Sequence, residues 1–203
     1  DCSGYERGGS YSHRWYKSAF RRIAIIVRGG EKRGTINRRL ADIGLPKVQK
    51  LRKKQKLPRR LPTAPVAIVW SPLPDGSPNV DANEPRYFWP GKDWVDWVGT
   101  DFYSRYGNWK HLKKFYSVFA KGKNKPFALT EWGLWGEDQP RYVKKVFRFM
   151  KQRDYADMLI YYQDFGSSNE FRIQNFPRSK KTLKKKISSD RFPKFAKKYP
   201  RFR

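Results

Sequence analysis

Glu131 closes a short apolar run in the stretch FALTEWGLWGED, with Thr130 before it and Trp132 and Trp135 after it. A surface loop has no use for two tryptophans, and a plain core strand has no use for the acid. A carboxylate held at a strand end can attack an electrophilic carbon, and flat indole faces pack against the C–H faces of a sugar ring. The same residue types recur at other apolar runs: Trp70 in VAIVWSPLP, Asp101 and Tyr103 in WVDWVGTDFYS, Tyr162 and Gln163 in MLIYYQDFG. Acids and amides satisfy sugar hydroxyls while aromatic rings cover the ring faces. A carboxylate that attacks an anomeric carbon works with a second carboxyl about 5 Å away, which serves first as acid and then as base. Tyr103 is a candidate to donate a hydrogen bond to Glu131 and keep it ionised and aimed. The plainer alternative leaves Glu131 as a strand-end acid paired with one of the chain's many cations.

For these residues to meet, the apolar runs must be parallel strands whose C-terminal ends open on one mouth, as in a barrel. Four runs fit: Val66 to Trp70, Trp94 to Tyr103, Phe127 to Glu131 and Met158 to Tyr162. Each is short and rich in β-branched or aromatic residues. Helical patterns surround them. Ser10 to Arg28 carries Trp15, Ala19, Phe20, Ile23, Ile26 and Val27 at three-four spacing and stops at Gly29-Gly30. Thr35 is the expected N-cap of a short helix to Asp42, closed by Gly44, with Ile36, Leu40 and Ile43 on its buried side. Asn108 to Ala120 offers Leu112, Phe115, Tyr116 and Phe119 to the core. Pro140 to Lys151 offers Val143, Val146, Phe147 and Met150, with Asp138 as a candidate cap. Asp93 and Asp96, ahead of the second strand, are expected to fix a turn and pair with basic neighbours. Strands alternating with helices predict an α/β fold with a parallel sheet.

The chain carries a formal charge of +28 over 203 residues. Any polyanion is drawn to such a field, so charge alone does not choose among nucleic acid, anionic lipid and anionic cell-wall polymer. At 17% aromatic residues the composition is far from that of disordered basic proteins, so most of the chain is expected to fold. One cysteine, Cys2, excludes an internal disulfide, and two histidines, His13 and His111, offer no zinc-ligand spacing. No metal or cofactor is expected. No window of about 18 apolar residues marks a membrane span. No signal-peptide pattern is read, and the opening on Asp1 reads as a cut end with sequence expected before it. Lys47 to Arg60 holds eight cations and no acid. Without an interleaved aromatic it reads as a solvated insertion, about residues 46–63, rather than a nucleic-acid patch. The expected division is a barrel segment over 1–176 and a basic helix and tail over 177–203.

Four blocks, IVWSPLP, FWPGKDWVDWVGTDFYS, KPFALTEWG and MLIYYQDFG, stand in this order. Together with the helix RWYKSAFRRIAIIVRGG they resemble glycoside hydrolase family 26, over roughly residues 5 to 175. That family comprises β-mannanases and related retaining β-glycanases on a (β/α)8 barrel. The resemblance implies a TIM-type barrel of which about four strand-helix units, the C-terminal half, are present. It implies that Glu131 takes the place of the nucleophile, Tyr103 that of the tyrosine contacting it, and Trp70 that of an aromatic lining the cleft. The family's acid/base glutamate lies shortly before the helix that begins here near Ser10, and Asp1 aligning with the asparagine after it implies an acid/base upstream of Asp1. Glu6, the one glutamate nearby, is the weaker candidate, and a chain with no acid/base at all is the third reading. After the last strand, where the family commonly has a tryptophan platform, this chain has Tyr161, Tyr162 and Gln163. Asp101, Trp132, Trp135, Tyr162 and Gln163 are the expected substrate-binding residues beside Trp70. The resemblance further implies a β-linked polysaccharide such as mannan as partner, and an extracellular, secreted enzyme.

Two other readings stay open. A non-catalytic polysaccharide or cell-wall binding module would keep the aromatic mouth and hold an anionic surface polymer through its basic segments. A nucleic-acid-associated protein would make salt-dependent contacts to phosphate. The aromatics, at strand ends rather than along a basic groove, leave nucleic acid only non-specific contacts. A half barrel also leaves two open sheet edges, so the isolated chain is expected to be unstable, to dimerise or to aggregate.

Overall fold

The computed structural model describes residues 12–50, 54–76, 79–163 and 169–188. These fall in two compact units, one within Asp1–Ile68 and Asp75–Asp96, the other within Val69–Pro74 and Trp97–Pro200.

The first unit contains helices α1 (His13–Arg28), α2 (Arg33–Asp42) and α3 (Pro85–Phe88). Ser12 caps α1, its hydroxyl accepting from the Trp15 N–H at 3.5 Å. The apolar stripe expected on α1 is not the buried one: Ala24 and Ile25 are buried, while Trp15 and Ile23 stand exposed. Residues Ile23 to Val27 are apolar on every side of the helix, so spacing cannot pick a face. Packing of Ile25 with Ile36, Leu40 and Leu61 picks it. Thr35 does not cap α2, which starts from Lys32 with no side-chain cap. The end of the basic insertion is fastened instead by backbone bonds, from Arg33 N–H to the Arg59 carbonyl and from Leu61 N–H to the Glu31 carbonyl.

Asp96 behaves as expected. It accepts from the Arg28 guanidinium at 2.9 Å and from the Ile68 N–H at 2.8 Å. The second bond occupies the Ile68 backbone donor, and the run expected as a strand from Val66 becomes one only at Val69.

The second unit is a parallel sheet in the order β1 (Val69–Trp70), β2 (Trp97–Tyr103), β3 (Phe127–Gly133) and β4 (Ala156–Tyr161). Helices α4 (Trp109–Phe115), α5 (Pro140–Lys151) and α6 (Pro177–Ile187) complete it. The strand called from Trp94 starts at Trp97, because Lys92–Trp94 forms a 3₁₀ turn. Asn108 caps α4, accepting from the His111 N–H at 3.3 Å. The helical segment then continues as one π turn, Tyr116–Ala120, which keeps Tyr116 and Phe119 in the core. On α5, Val143, Val146, Phe147 and Met150 are buried, as their spacing predicts. One face of the sheet packs on these helices. Phe127 of β3 lies 5.5 Å from the Tyr116 ring and 6.1 Å from Phe149, and Trp132 lies 6.0 Å from Phe147. Among the described residues β1 and β4 are the sheet's edges, so the sheet is open and no barrel closes. No helix among them is long and apolar enough to cross a membrane.

Asp138 corrects a second expected cap. It precedes α5, but its carboxylate caps α6, accepting from the Ser179 N–H at 2.8 Å, the Ser179 hydroxyl at 2.6 Å and the Arg178 N–H at 3.0 Å. Burial works against its charge, yet the bonds from the Ser179 hydroxyl and the two backbone N–H groups outweigh it and hold the carboxyl below the usual range. The entry to α5 and the start of α6 are thereby tied side by side.

Candidate active site

The site lies on the other face of the sheet, away from α4 and α5. Alternate residues of a strand face opposite sides, and β2 keeps this rule. Phe102 faces the helices, 4.8 Å from the Trp109 ring, while Asp101 and Tyr103 face the inner side. β3 breaks the rule once. Thr100 pairs with Leu129, but Asp101 pairs with Glu131, so Thr130 is an extra residue in the ladder. The same slip separates β3 from β4 between Leu129 and Trp132. A bulge of this kind turns two consecutive side chains to one side. Thr130 donates to Asp101 Oδ1 at 3.3 Å and is hydrogen bonded to Ser71, while Glu131 accepts from the Tyr103 hydroxyl. Without the bulge Glu131 would face the helices; with it, Trp132 does.

Two glycines make room for this arrangement. A β-carbon on Gly99 would stand 2.4 Å from Thr130 Cγ2, so β2 leaves the space the bulge residue fills. A β-carbon on Gly133 would stand 3.2 Å from Tyr103 Cε1, beside the ring that holds Glu131.

The two carboxyls differ in setting. Asp101 is half-buried, and burial first, then the charge of Glu131, push its pKa from an ordinary 3.8 to about 6, against the opposing Thr130 hydrogen bond. Tyr103 is pushed well above the usual phenol range by burial and by its bond to Glu131. It therefore stays a donor at any working pH. Among the described residues neither Asp101 nor Glu131 forms an ion pair.

Aromatic rings wall this pair. Trp135 meets Tyr103 edge-on at 5.5 Å, Tyr162 meets it at 6.2 Å, and Phe171 packs on Tyr103 at 5.3 Å. The Trp135 indole N–H donates to Glu170 at 3.0 Å and its backbone N–H donates to the Ser104 hydroxyl at 3.0 Å, which fixes the ring. Tyr161 fastens the Phe171 segment, its hydroxyl donating to the Phe171 carbonyl at 3.1 Å. Burial pushes that phenol up to about 12, with the Leu134 N–H pulling the other way.

The structure brings Glu131, Tyr103, Asp101, Trp135 and Tyr162 together on this face. Two expected sugar contacts do not join them. Trp70 is fully buried against Phe115 and Phe119 at 5.7 and 4.9 Å, because the alternation of β1 gives the inner side to Ser71. Trp132 is buried among Tyr142, Phe147 and Tyr161, for the reason the bulge supplies. Gln163 uses its amide locally, on Gln174 and on the Ile173 N–H. Glu6 lies outside the described residues. Ser71, Glu170 and Phe171 enter the site without having been singled out. Phe171 stands in a polar loop with no periodic signal, and only the position of Ser71 just after a strand end could have marked it.

No protein-family model matches the sequence, and no curated protein does. Solved structures do. A GH26 β-mannanase from Bacteroides ovatus matches over 93% of this chain and 49% of its own, with TM-score 0.50 and 19% sequence identity. The catalytic domain of a GH26 endo-β-1,4-mannanase from Bacillus sp. JAMB-750 matches over 94% of this chain and 49% of its own, with TM-score 0.46 and 14% identity. The chain spans about half the length of either structure. The Bacteroides structure carries the fold assignment. The α/β arrangement here matches part of the barrel of that structure.

Proposed function

We propose that the chain is a segment of a retaining β-glycoside hydrolase, mannanase-like in substrate, in which Glu131 is the nucleophile. The observation that carries this reading is the Glu131 carboxylate turned to the inner face by the bulge and bonded there by Tyr103 and, among the described residues, by no Lys or Arg. In this reading a carboxylate oxygen of Glu131 attacks the anomeric carbon. The glycosidic C–O bond breaks, and the leaving oxygen takes a proton from a second carboxyl. Water then attacks the glycosyl-enzyme, giving its proton to the same carboxyl and releasing Glu131. Glu6 is this sequence's candidate for the second carboxyl. Tyr103 keeps one carboxylate lone pair engaged and leaves the other oxygen to react. Asp101, neutral up to about pH 6, offers an O–H or accepts one from a sugar hydroxyl. Trp135, Tyr162 and Phe171 supply faces and edges for pyranose C–H groups. The likeness to the Bacteroides ovatus β-mannanase supports a β-linked polysaccharide such as mannan as substrate. Action outside the cell is part of the same proposal and follows from the resemblance of the sequence blocks.

The test uses a dinitrophenyl β-mannoside, whose leaving group departs without a proton. Wild-type chain should hydrolyse it, Glu131→Ala should not, and azide added to Glu131→Ala should restore turnover with the α-glycosyl azide as product. Equal rates for wild type and Glu131→Ala would remove Glu131 from the mechanism and leave a binding module.

A further inference from the structure

Helices α4, α5 and α6 carry three, five and six Lys or Arg residues and not one Asp or Glu, and every one of these cations is exposed. Helix stability does not ask for this. Cations in a last turn complement the helix dipole, but Lys144, Lys180 and Lys181 stand outside the last turns. Lys144 with Arg148, Lys180 with Lys184, and Lys181 with Lys185 are like charges four residues apart, and such pairs destabilise a helix by about 0.2–0.5 kcal/mol each. A surface charged only for solubility intersperses both signs. Asp138, just ahead of α5, is already used in capping α6.

The three helices form one layer. Lys145 of α5 lies 4.3 Å over the Trp109 ring of α4, and Asp138 binds the start of α6 to the entry of α5. α4 and α5 pack on the opposite side of the sheet from Glu131, and α6 lies beside α5. We infer that it is a docking surface for an acidic polysaccharide, a sugar polymer bearing carboxylate or sulfate groups along its length. Charge complementarity selects a polyanion. The residues used select its kind. Lysine predominates, and its ammonium is a hydrated point charge that needs no fixed fork geometry. None of the exposed aromatic rings stands on these helices, so there is no platform on which bases could stack. The choice of polysaccharide over nucleic acid also rests on the glycosidase reading of the same unit.

The full chain is tested for binding to polygalacturonate, neutral galactomannan and duplex DNA by affinity electrophoresis, at about 50 and about 200 mM salt. Wild type should bind polygalacturonate at low salt, release it at high salt, and bind it more tightly than duplex DNA. Lys144→Glu with Lys181→Glu and Lys184→Glu should weaken that binding about tenfold or more, with helix content unchanged, since it relieves like-charge repulsion. A control of equal charge change in the first unit, Arg14→Glu with Arg38→Glu and Lys47→Glu, should weaken it far less. Equal losses in the two variants would overturn the surface by reducing it to net charge, and preference for DNA would overturn the choice of polymer. Glu131→Ala should bind polygalacturonate as wild type does, and the triple α5/α6 variant should cleave the dinitrophenyl mannoside as wild type does. Loss of cleavage alone therefore counts against the glycosidase and not against the surface.

Discussion

Replacing Asp101 by Asn should stabilise the protein at neutral pH and do nothing in acid. Asp101 is raised from an ordinary 3.8 to about 6 by burial and by Glu131. Between these values the native state holds a proton that the unfolded chain has lost, so the native state loses stability as pH rises through the window. Above about pH 6 the whole penalty of an ionised Asp101 is present; below about pH 4 it is gone. A shift of this size corresponds to roughly 3 kcal/mol if nothing screens it. Asp101 is only half-buried, and solvent screening brings the figure to about 1 kcal/mol. Asn keeps an oxygen for the Thr130 hydroxyl and carries no charge beside Glu131. The expectation is a Tm raised by about 2–4 °C near pH 8, and no difference near pH 4. Thermal unfolding followed by circular dichroism across that range measures it. A variant less stable than wild type near pH 8, or a difference that does not change with pH, would refute the account of the inner face as a strained carboxylate pair.

Tyr103→Phe removes the hydroxyl that Glu131 accepts from; a hydrogen bond to a charged group contributes about 1.5–3 kcal/mol, so kcat/KM on the aryl mannoside should fall about 10- to 100-fold. Gly99→Ala places a methyl on Thr130 Cγ2 and should cost about 1–3 kcal/mol in denaturant unfolding, with Thr130→Ser in the same chain recovering most of it. Asp138→Ala should cost about 1 kcal/mol at neutral pH through loss of the α6 cap, and the difference from wild type should close as acid protonates Asp138 below the usual carboxylate range.

Much of the second unit was legible in the sequence because its signals were redundant. α5 has a proline at its first turn and a clean apolar stripe, and both its ends fall where the pattern puts them. β3 and its acid were marked by an apolar run ending abruptly. What could not be read was which side each strand residue faces. Strand ends were expected to deliver Trp70 and Trp132 to the site, but an unbroken alternation cannot give both Thr130 and Glu131 to one face, and the bulge that does so leaves no trace in residue type. Gly99 is its nearest signature, and it is interpretable only once Thr130 is seen against it. On α1 the failure was the opposite one: too many apolar residues rather than a hidden irregularity. Asp138 shows a third kind of limit. A residue two places before a helix reads as that helix's cap, and only the folded chain shows that it caps another helix 40 residues on.

The contrast between the acids is the strongest reason to regard the inner face as built for chemistry. In a chain with 46 Lys and Arg against 18 Asp and Glu, cations are plentiful enough for an acid to pair. Asp96 finds Arg28, Glu31 finds Arg39, Glu84 finds Arg86 and Asp138 finds Arg178. Asp101 and Glu131 are brought instead to one face, where burial and then the charge of Glu131 raise the pKa of Asp101 and where hydroxyls of Tyr103 and Thr130 are their bonded neighbours. A fold selected for stability alone would place a lysine there, and this chain had many to spare. Two carboxyls kept clear of cations, one of them raised, are what a site needs if one is to attack carbon and the other is to exchange a proton with a sugar hydroxyl. Placing a cation there, as in Thr130→Lys, should therefore lower the pKa of Asp101 and raise stability near neutral pH while abolishing turnover of the aryl mannoside. Activity surviving that substitution would mean that the pair is an accident of packing.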